Sequence, residues 1–275
     1  MYFDTVGSWT EVKLSIIREY SQAYTQILRN QQHIKHFAYV DGFAGGGHHV
    51  SKATGAVIDG SPAIALTCGF NHCHFVDLDG KRTEQLQELS EGRSDVSIYN
   101  GDCSEVLLHE VFPHCRYEDY RRALCLLDPY NLNPRWDVVE TAGRMRSIEL
   151  FINFMIMDAN MNVLLKGGPG AASDQQVARM TAFWGDESWK HAAYKVEKGL
   201  FGDITTKAVN TAVAAAYRKR LQDVAGFKYV PLPLAMKHRK GPVIYYLFFA
   251  SQNRTGDKIA RSIFEKYRAR GSSCG

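Results

Sequence analysis

The sequence contains no Cys-x-x-Cys pair and no cysteine with a companion histidine at zinc spacing, which argues against a structural metal site. Its six cysteines stand apart, at Cys68, Cys73, Cys103, Cys115, Cys125 and Cys274, and read as the reduced thiols of a cytoplasmic protein. Cys68 and Cys73 lie close to His72 and His74, but His72-Cys-His-Phe-Val76 has the pattern of a strand with alternating faces. The amino terminus lacks a charged-then-apolar targeting pattern, and no apolar run reaches the length of a membrane span. A cytoplasmic location without a membrane partner is therefore expected. Charge of one sign is also scarce. A formal net charge of +4 and a pI of about 8.6 fall short of a nucleic-acid coat protein, while leaving room for a local basic patch. What the chain does have is apolar content: with 275 residues, 45% hydrophobic and 23% charged, it can bury a large core as a single domain over 1–275.

The pattern is organised around residues 37–47. Phe37-Ala-Tyr-Val-Asp41 is an apolar run that ends in a carboxylate, and Gly42-Phe43-Ala44-Gly45-Gly46-Gly47 follows it. A buried parallel strand delivers its backbone to a ligand in this way, because side chains at the strand end would block a nucleoside's approach. Asp41 at the lip can accept hydrogen bonds from a cation or amine. The expected ligand is an adenosyl cofactor. Upstream, the segment 1–35 carries one amphipathic helix, with Val12, Ile16, Tyr20, Tyr24 and Ile27 at helical spacing. Lys13 and Arg18 lie on it and face either a ligand or solvent.

Residues 45–60 read as a long polar loop, a lid or binding loop with His48, His49 and Lys52 as candidate substrate contacts. Ser61-Pro62 predicts the N-cap and first turn of a short helix reaching Cys68. Three further apolar runs then end in acid. The first, 72–79, carries Asp77 and Leu78 where doubly wound folds hold ribose hydroxyls, and enough chain separates Asp77 from Asp41 for one right-handed crossover. The second, 95–100, leads into Asp102 and Cys103, and a carboxylate there can accept from an adenine amine. The third, 123–128, ends in Asp128-Pro129-Tyr130-Asn131, whose proline fixes a carboxylate, a carbonyl and an aromatic ring toward one crevice. The competing account is structural: acids also cap helices that start after strands, and Asp-Pro with Asn forms turns.

The remaining chain predicts a helix over 134–145, a strand over 148–156 and a short helix over 158–165. Residues 166–226 read as a helical insertion with no strand inside it (177–184, 187–194 and 205–224), shaping the substrate site, with Trp184 and Trp189 as core rather than stacking surfaces. The runs 227–236 and 243–251, joined by Lys237-His-Arg-Lys-Gly-Pro242, predict a hairpin, and a last helix covers 255–268. The basic tip and Lys258, Arg261, Lys266, Arg268 and Arg270 either meet phosphates or form a solvated face. The fold class is α/β: a doubly wound, Rossmann-like methyltransferase sheet, mostly parallel, with a C-terminal antiparallel hairpin and a helical insertion.

Taken together, Asp41-Gly-Phe43-Ala-Gly45-Gly-Gly47, Asp77, Asp102 and Asp128-Pro129-Tyr130 resemble the class I S-adenosylmethionine-dependent methyltransferases. Phe43-x-Gly45-x-Gly47 looks like the first motif of their amino-methylating branch, and Asp128-Pro129-Tyr130-Asn131 is similar to its Asp-Pro-Pro-Tyr motif. Over the whole chain, from Lys13-Leu-Ser-Ile16 to Tyr245-Tyr-Leu-Phe-Phe-Ala-Ser251, the layout resembles the three-Cys-motif partner proteins, named for cysteines of a radical-enzyme-like neighbour. The resemblance implies S-adenosyl-L-methionine as cofactor, bound by Asp41, Gly42, Phe43, Ala44, Gly45, Asp77, Leu78, Asp102, Cys103 and Asp128. One departure stands out. The second proline is missing, so Tyr130 takes the third place and Asn131 the fourth, where an aromatic would stack on a flipped base.

The expected chemistry is methyl transfer to a nitrogen, such as the exocyclic amine of a nucleobase in RNA or DNA, with Asp128, Pro129 and Tyr130 as catalytic residues. The alternative is a non-catalytic, cofactor-binding partner of a radical-type enzyme. A nicotinamide oxidoreductase is disfavoured, because Phe-x-Gly-x-Gly lacks the Gly-x-Gly-x-x-Gly spacing and the terminal hairpin is foreign to that fold.

Overall fold

A computed structural model describes residues 3–199, 202–238 and 241–273. In chain order it begins with a short strand β1 (Asp4–Val6) and a long helix α1 (Ser8–Arg29), then β2 (His36–Asp41), β3 (His48–Ser51), β4 (Val57–Asp59) and helix α2 (Ser61–Cys68). Next come β5 (His72–Asp77), α3 (Gly80–Leu89), β6 (Val96–Asn100), a short helix α4 (Cys103–Val106) and β7 (Arg121–Leu127). The second half holds α5 (Trp136–Met145), β8 (Ile148–Phe154), α6 (Ile156–Asn162), α7 (Asp174–Trp184), α8 (Trp189–Ala193), β9 (Tyr194–Gly199) and β10 (Gly202–Lys207). Helix α9 (Asn210–Asp223), β11 (Leu234–Lys237), β12 (Val243–Ala250) and α10 (Arg254–Ser273) complete it.

Seven strands form one sheet in the order β11-β12-β8-β7-β2-β5-β6. The five from β8 to β6 in this order run parallel, and β12 is antiparallel to both neighbours. This is the predicted fold class: a doubly wound methyltransferase-type sheet with its terminal hairpin at one edge. Parallel strands covered on both faces have no polar side to show, which is why β8 is buried at every residue. Alternation still decides which core each side chain joins. Phe37 and Tyr39 of β2 join the core that holds α1, α2 and α10, whereas Ala38 and Val40 join the opposite core, which holds α5, α7 and α9.

The boundaries differ from the sequence reading in four places, each for a local reason. The stretch 45–60 is not irregular: β3 and β4 pair antiparallel there, and β1 adds to β3 in parallel, with Asp4 opposite His49. A three-stranded sheet thus stands where a loop was expected, because alternation over three or four residues is too short to read. Helix α2 takes Gly60 as its N-cap, with Ser61 and Pro62 inside the first turn. The insertion 166–226 is not wholly helical, since β9 and β10 pair as an antiparallel ladder within it. Finally, only Leu234–Lys237 of the run 227–236 is a strand, preceded by one bridge between Tyr229 and Ser251. Arg239, Lys240 and Cys274 lie outside the described residues.

Trp184 and Trp189 are core, buried with Phe154, Phe183 and Tyr217. Their indole N–H groups donate to Ser188 Oγ at 2.9 Å and Thr181 Oγ1 at 3.0 Å, so the insertion supplies partners for its own buried donors. Among the described residues, no helix is long and apolar enough to cross a membrane.

Helix α5 meets the turn before Phe227 through a glycine. A Cβ on Gly143 would fall on the carbonyl oxygen of Ala225, a backbone atom that cannot swing away. Gly143→Ala is therefore expected to cost about 1–3 kcal/mol, read as a lowered urea midpoint at unchanged slope. An unchanged midpoint would mean that this contact does not set the α5 packing.

Candidate functional site

The winding direction reverses at β2, with β5 and β6 laid to one side and β7 and β8 to the other. Ligand crevices of doubly wound sheets open at the carboxyl ends of the strands at such a point. The structure brings the strand-end acids together there.

Asp41 closes β2 and is fully buried beneath the glycine turn. Its Oδ1 accepts from the Phe43 N–H at 3.2 Å and its Oδ2 from the Tyr39 hydroxyl at 3.4 Å. Burial pushes its pKa up to about 7, against the pull of a Ser61 hydrogen bond and the Phe43 amide; Asp128 adds to the rise and Lys13 opposes it. Gly42 is fixed by packing, since a Cβ there would stand 2.7 Å from Cys103 Sγ. Gly45 adopts φ 64, in the left-handed region, and its N–H donates to Asp77 Oδ2 at 2.8 Å. The space where its Cβ would stand is open. Phe43 is half-buried against one core and Ala44 is buried in the other, so the turn is held from both faces of the sheet.

Asp77 is buried at the end of β5, and its Oδ1 accepts from the Asp79 N–H at 2.9 Å. Each carboxylate oxygen thus holds one backbone donor and keeps a lone pair. Beside it Leu78 is 76% exposed, an apolar side chain standing free at the crevice. Asp102 is the N-cap of α4: its Oδ1 accepts from Ser104 and Glu105 N–H at 2.9 and 3.1 Å. The capping account of the strand-end acids therefore holds for this oxygen, while Oδ2 is unengaged among the described residues. Cys103 is buried behind it, its thiol pushed up by burial.

Asp128 ends the β7 run. Lys13 Nζ donates to its Oδ2 and Asn153 Nδ2 to its Oδ1. Lys13, 6% exposed, thus faces neither solvent nor open crevice but the strand-end acid. Pro129 is buried, and Tyr130 is 68% exposed with its hydroxyl donating to Asp4 Oδ2 at 3.2 Å. The Arg82 guanidinium lies 5.5 Å over the Tyr130 ring and donates to the same Asp4 oxygen at 2.9 Å. Strand β1 is thereby tied across the crevice, from α3 on one side to the Asp128-Pro-Tyr turn on the other.

The remaining candidates separate. His49, on β3, has a buried Nδ1 with no partner, and burial lowers its pKa, with Lys13 acting in the same sense and Asp4 and Asp128 against it. It belongs to the site. His48 lies 3.9 Å from Asp59, Arg18 donates to Asp59 at 3.1 Å, and Lys52 is exposed; these three bind or flank the small sheet instead. Of the basic residues on α10, Arg261 pairs with Asp257, Lys266 with Glu19, and Arg268 donates to the Leu232 and Pro233 carbonyls. The sequence reading missed Asp4, Arg82 and Asn153. Only Asn153 had a readable signal, as an amide inside the apolar run Leu150-Phe-Ile-Asn-Phe154.

No family model matches the chain, and no curated protein matches it. Among solved structures, it is similar to protein LPL1258 from Legionella pneumophila at 11% identity, covering 92% of this chain and 91% of that one, with a TM-score of 0.46. It is also similar to the methyltransferase candidate yhhF from Escherichia coli (8% identity, 85% and 86% covered, TM-score 0.34). A further methyltransferase candidate, from Thermobifida fusca, matches at 12% identity, 86% and 80% covered, with a TM-score of 0.40. Scores of this size leave substrate and chemistry to be argued from the site itself.

Asp41 gives the site a pH signature. Its folded pKa of about 7 stands above the ordinary 3.8, so the folded state holds the proton more tightly and stability falls as pH rises between those values. Asp41→Asn removes that dependence. The difference in thermal midpoint, variant minus wild type, is expected to grow from about pH 4 to about pH 7 and then level off. A difference independent of pH would contradict the raised pKa.

Proposed function

We propose that this chain is an S-adenosylmethionine-dependent methyltransferase acting on a nitrogen, with an exocyclic amine of a nucleobase in RNA or DNA as the acceptor class. The observation that carries the reading is the convergence of the glycine turn, Asp77, Asp102 and Asp128-Pro129-Tyr130 at the switch point of a methyltransferase-type sheet. The acceptor set fits an adenosyl group: the remaining lone pairs of Asp77 suit ribose hydroxyls, Asp102 Oδ2 suits an adenine amine, and the exposed Leu78 offers a face to the ring. When bound, S-adenosylmethionine supplies an electrophilic methyl group on a sulfonium.

The chain's own residues prepare the acceptor. An exocyclic amine is a weak nucleophile because its lone pair is conjugated to the ring. Asp128 and the Pro129 carbonyl, accepting one N–H each, draw the nitrogen out of that conjugation, and Asp128 is the base for the proton the nitrogen must lose. Lys13 and Asn153 hold one oxygen each of Asp128, so the carboxylate is fixed in direction before the amine arrives. Orientation of this kind can recover roughly 7–11 kcal/mol of barrier. Tyr130, pinned through its hydroxyl by Asp4, packs against the acceptor. A base in a duplex would have to be flipped out first, whereas a single strand or loop would not. From the sequence resemblance we add a radical-enzyme-like protein as the proposed partner.

Titration of S-adenosylmethionine and NAD by calorimetry tests the cofactor. Binding of the former alone is expected, weakened roughly tenfold or more in Asp77→Ala, as loss of a charged acceptor implies. Asp128→Ala, which removes the acceptor's anchor and strands the Lys13 charge, is expected to lose turnover on structured RNA even at S-adenosylmethionine concentrations that saturate the variant. Absence of S-adenosylmethionine binding overturns the proposal.

A further inference from the structure

The opposite edge of the sheet holds a second cavity, of about 320 Å³, between α1, α10 and the start of β8. It opens where the parallel strands begin, away from the crevice. Two residues that line it carry buried hydroxyls with no hydrogen-bond partner among the described residues: Tyr24 on α1, 6% exposed, and Ser147 just before β8, 2% exposed. A buried hydroxyl without a partner is destabilising unless a ligand or water completes it.

The charged side chains that line the cavity are mostly positive. Arg122, Arg146 and Arg254 line the cavity, and none of the three has a carboxylate partner among the described residues. The Arg122 and Arg146 guanidinium carbons lie 3.9 and 5.6 Å from the centre of the same Tyr117 ring, which gathers both cations at one wall. Arg146 is the C-cap of α5, at φ 62 in the left-handed conformation that ends many helices, so the helix terminus fixes where its side chain starts. The first turn of α10, a helix of 20 residues, contributes Arg254, Thr255 and Gly256 to the lining and adds the positive end of its dipole. One acid is present, Glu149, and its oxygens are already engaged by the Tyr20 hydroxyl at 2.5 Å and the Ser251 hydroxyl at 2.9 Å. Burial raises its pKa, against the pull of those two hydrogen bonds.

We propose that this cavity is a binding site for a phosphate group, free or as a small phosphomonoester. Donors predominate in it: guanidinium N–H, two open hydroxyls and a helix N-terminus. The ligand that satisfies them is rich in acceptors and doubly charged, and arginine meets phosphate oxygens in bidentate geometry. The site does not depend on the methyl-transfer reading, since it shares no residue with the crevice.

Calorimetry with glycerol 3-phosphate, inorganic phosphate and glycerol, at one ionic strength, tests it, since none of the three carries the adenosyl group proposed for the crevice. Glycerol 3-phosphate or inorganic phosphate is expected to bind with a dissociation constant tighter than about 1 mM. Equal affinities for the two identify free phosphate as the ligand, and tighter binding of glycerol 3-phosphate identifies the phosphomonoester. Arg146→Gln is expected to weaken binding about tenfold, and Tyr24→Phe, which removes only an unpartnered hydroxyl and so leaves the fold intact, about threefold. Asp77→Ala, in the crevice, should leave phosphate affinity unchanged. The proposal is overturned if neither phosphate ligand binds, if glycerol binds as well as glycerol 3-phosphate, or if Tyr24→Phe binds the tighter phosphate ligand as tightly as wild type.

Discussion

The ion pair between Lys13 and Asp128 joins the second turn of α1 to the end of β7, and much of the crevice depends on it. Burying an ammonium costs several kcal/mol unless a carboxylate faces it, and removing one partner leaves the other charge stranded. Lys13 is almost fully enclosed, so its position is determined by where Asp128 stands. Asn153 completes the carboxylate from β8, the neighbouring strand. One acid thereby positions a helix from the beginning of the chain, a strand end from its middle and the amide of the next strand. The apolar stripe of α1, Leu14, Ile17, Tyr20 and Tyr24, tolerates sliding in a way that an ion pair does not.

Fixing α1 also fixes what hangs from it. Glu11 accepts from Ser51 at 2.7 Å and Arg18 donates to Asp59, so the small sheet of β1, β3 and β4 is tied to the helix at two places. From that sheet, Asp4 and His49 look toward the crevice, and Asp4 gathers Arg82 and Tyr130. The order of causes runs from the buried pair to the helix, from the helix to the sheet, and from the sheet to the crevice rim. Tyr130 is exposed yet held in direction, as the role proposed for it requires.

The parallel sheet and its strand-end acids were legible because both depend on local order. An apolar run that leads into an acid needs no long-range information, and four such runs in succession specify a winding. The partners of those acids were not legible. Nothing near Asp4 or Arg82 in the sequence says that they meet, since the contact spans two separate connections and arises only when β1 lies on β3. Lys13 looked like any charged position on a helix. Its burial follows from the register of α1 against β7, a tertiary fact. Strands of three and four residues, β1, β3 and β4, fall below the length at which alternation differs from chance, so a sheet was read as a loop.

The two edges of the main sheet offer opposite chemistry, and the reason lies in strand direction. At the carboxyl edge each strand leads into a helix or turn whose first N–H groups need acceptors. Asp79 and Asp102 accept from them directly, and Asp77 accepts from the amides of Gly45 and Asp79. Acids are thus drawn to that edge by the backbone before any ligand is considered, and the lone pairs they retain favour a ligand that brings donors, such as ribose or an amine. At the amino edge the strands begin instead of ending, and α5 closes there on Arg146, so cations collect near helix ends and strand starts. The antiparallel β12 delivers the N-terminus of α10 to the same edge, reinforcing its positive character. An edge that is short of acceptors favours a ligand that brings them, so one topology prepares a crevice for donors at one end and a cavity for an anion at the other.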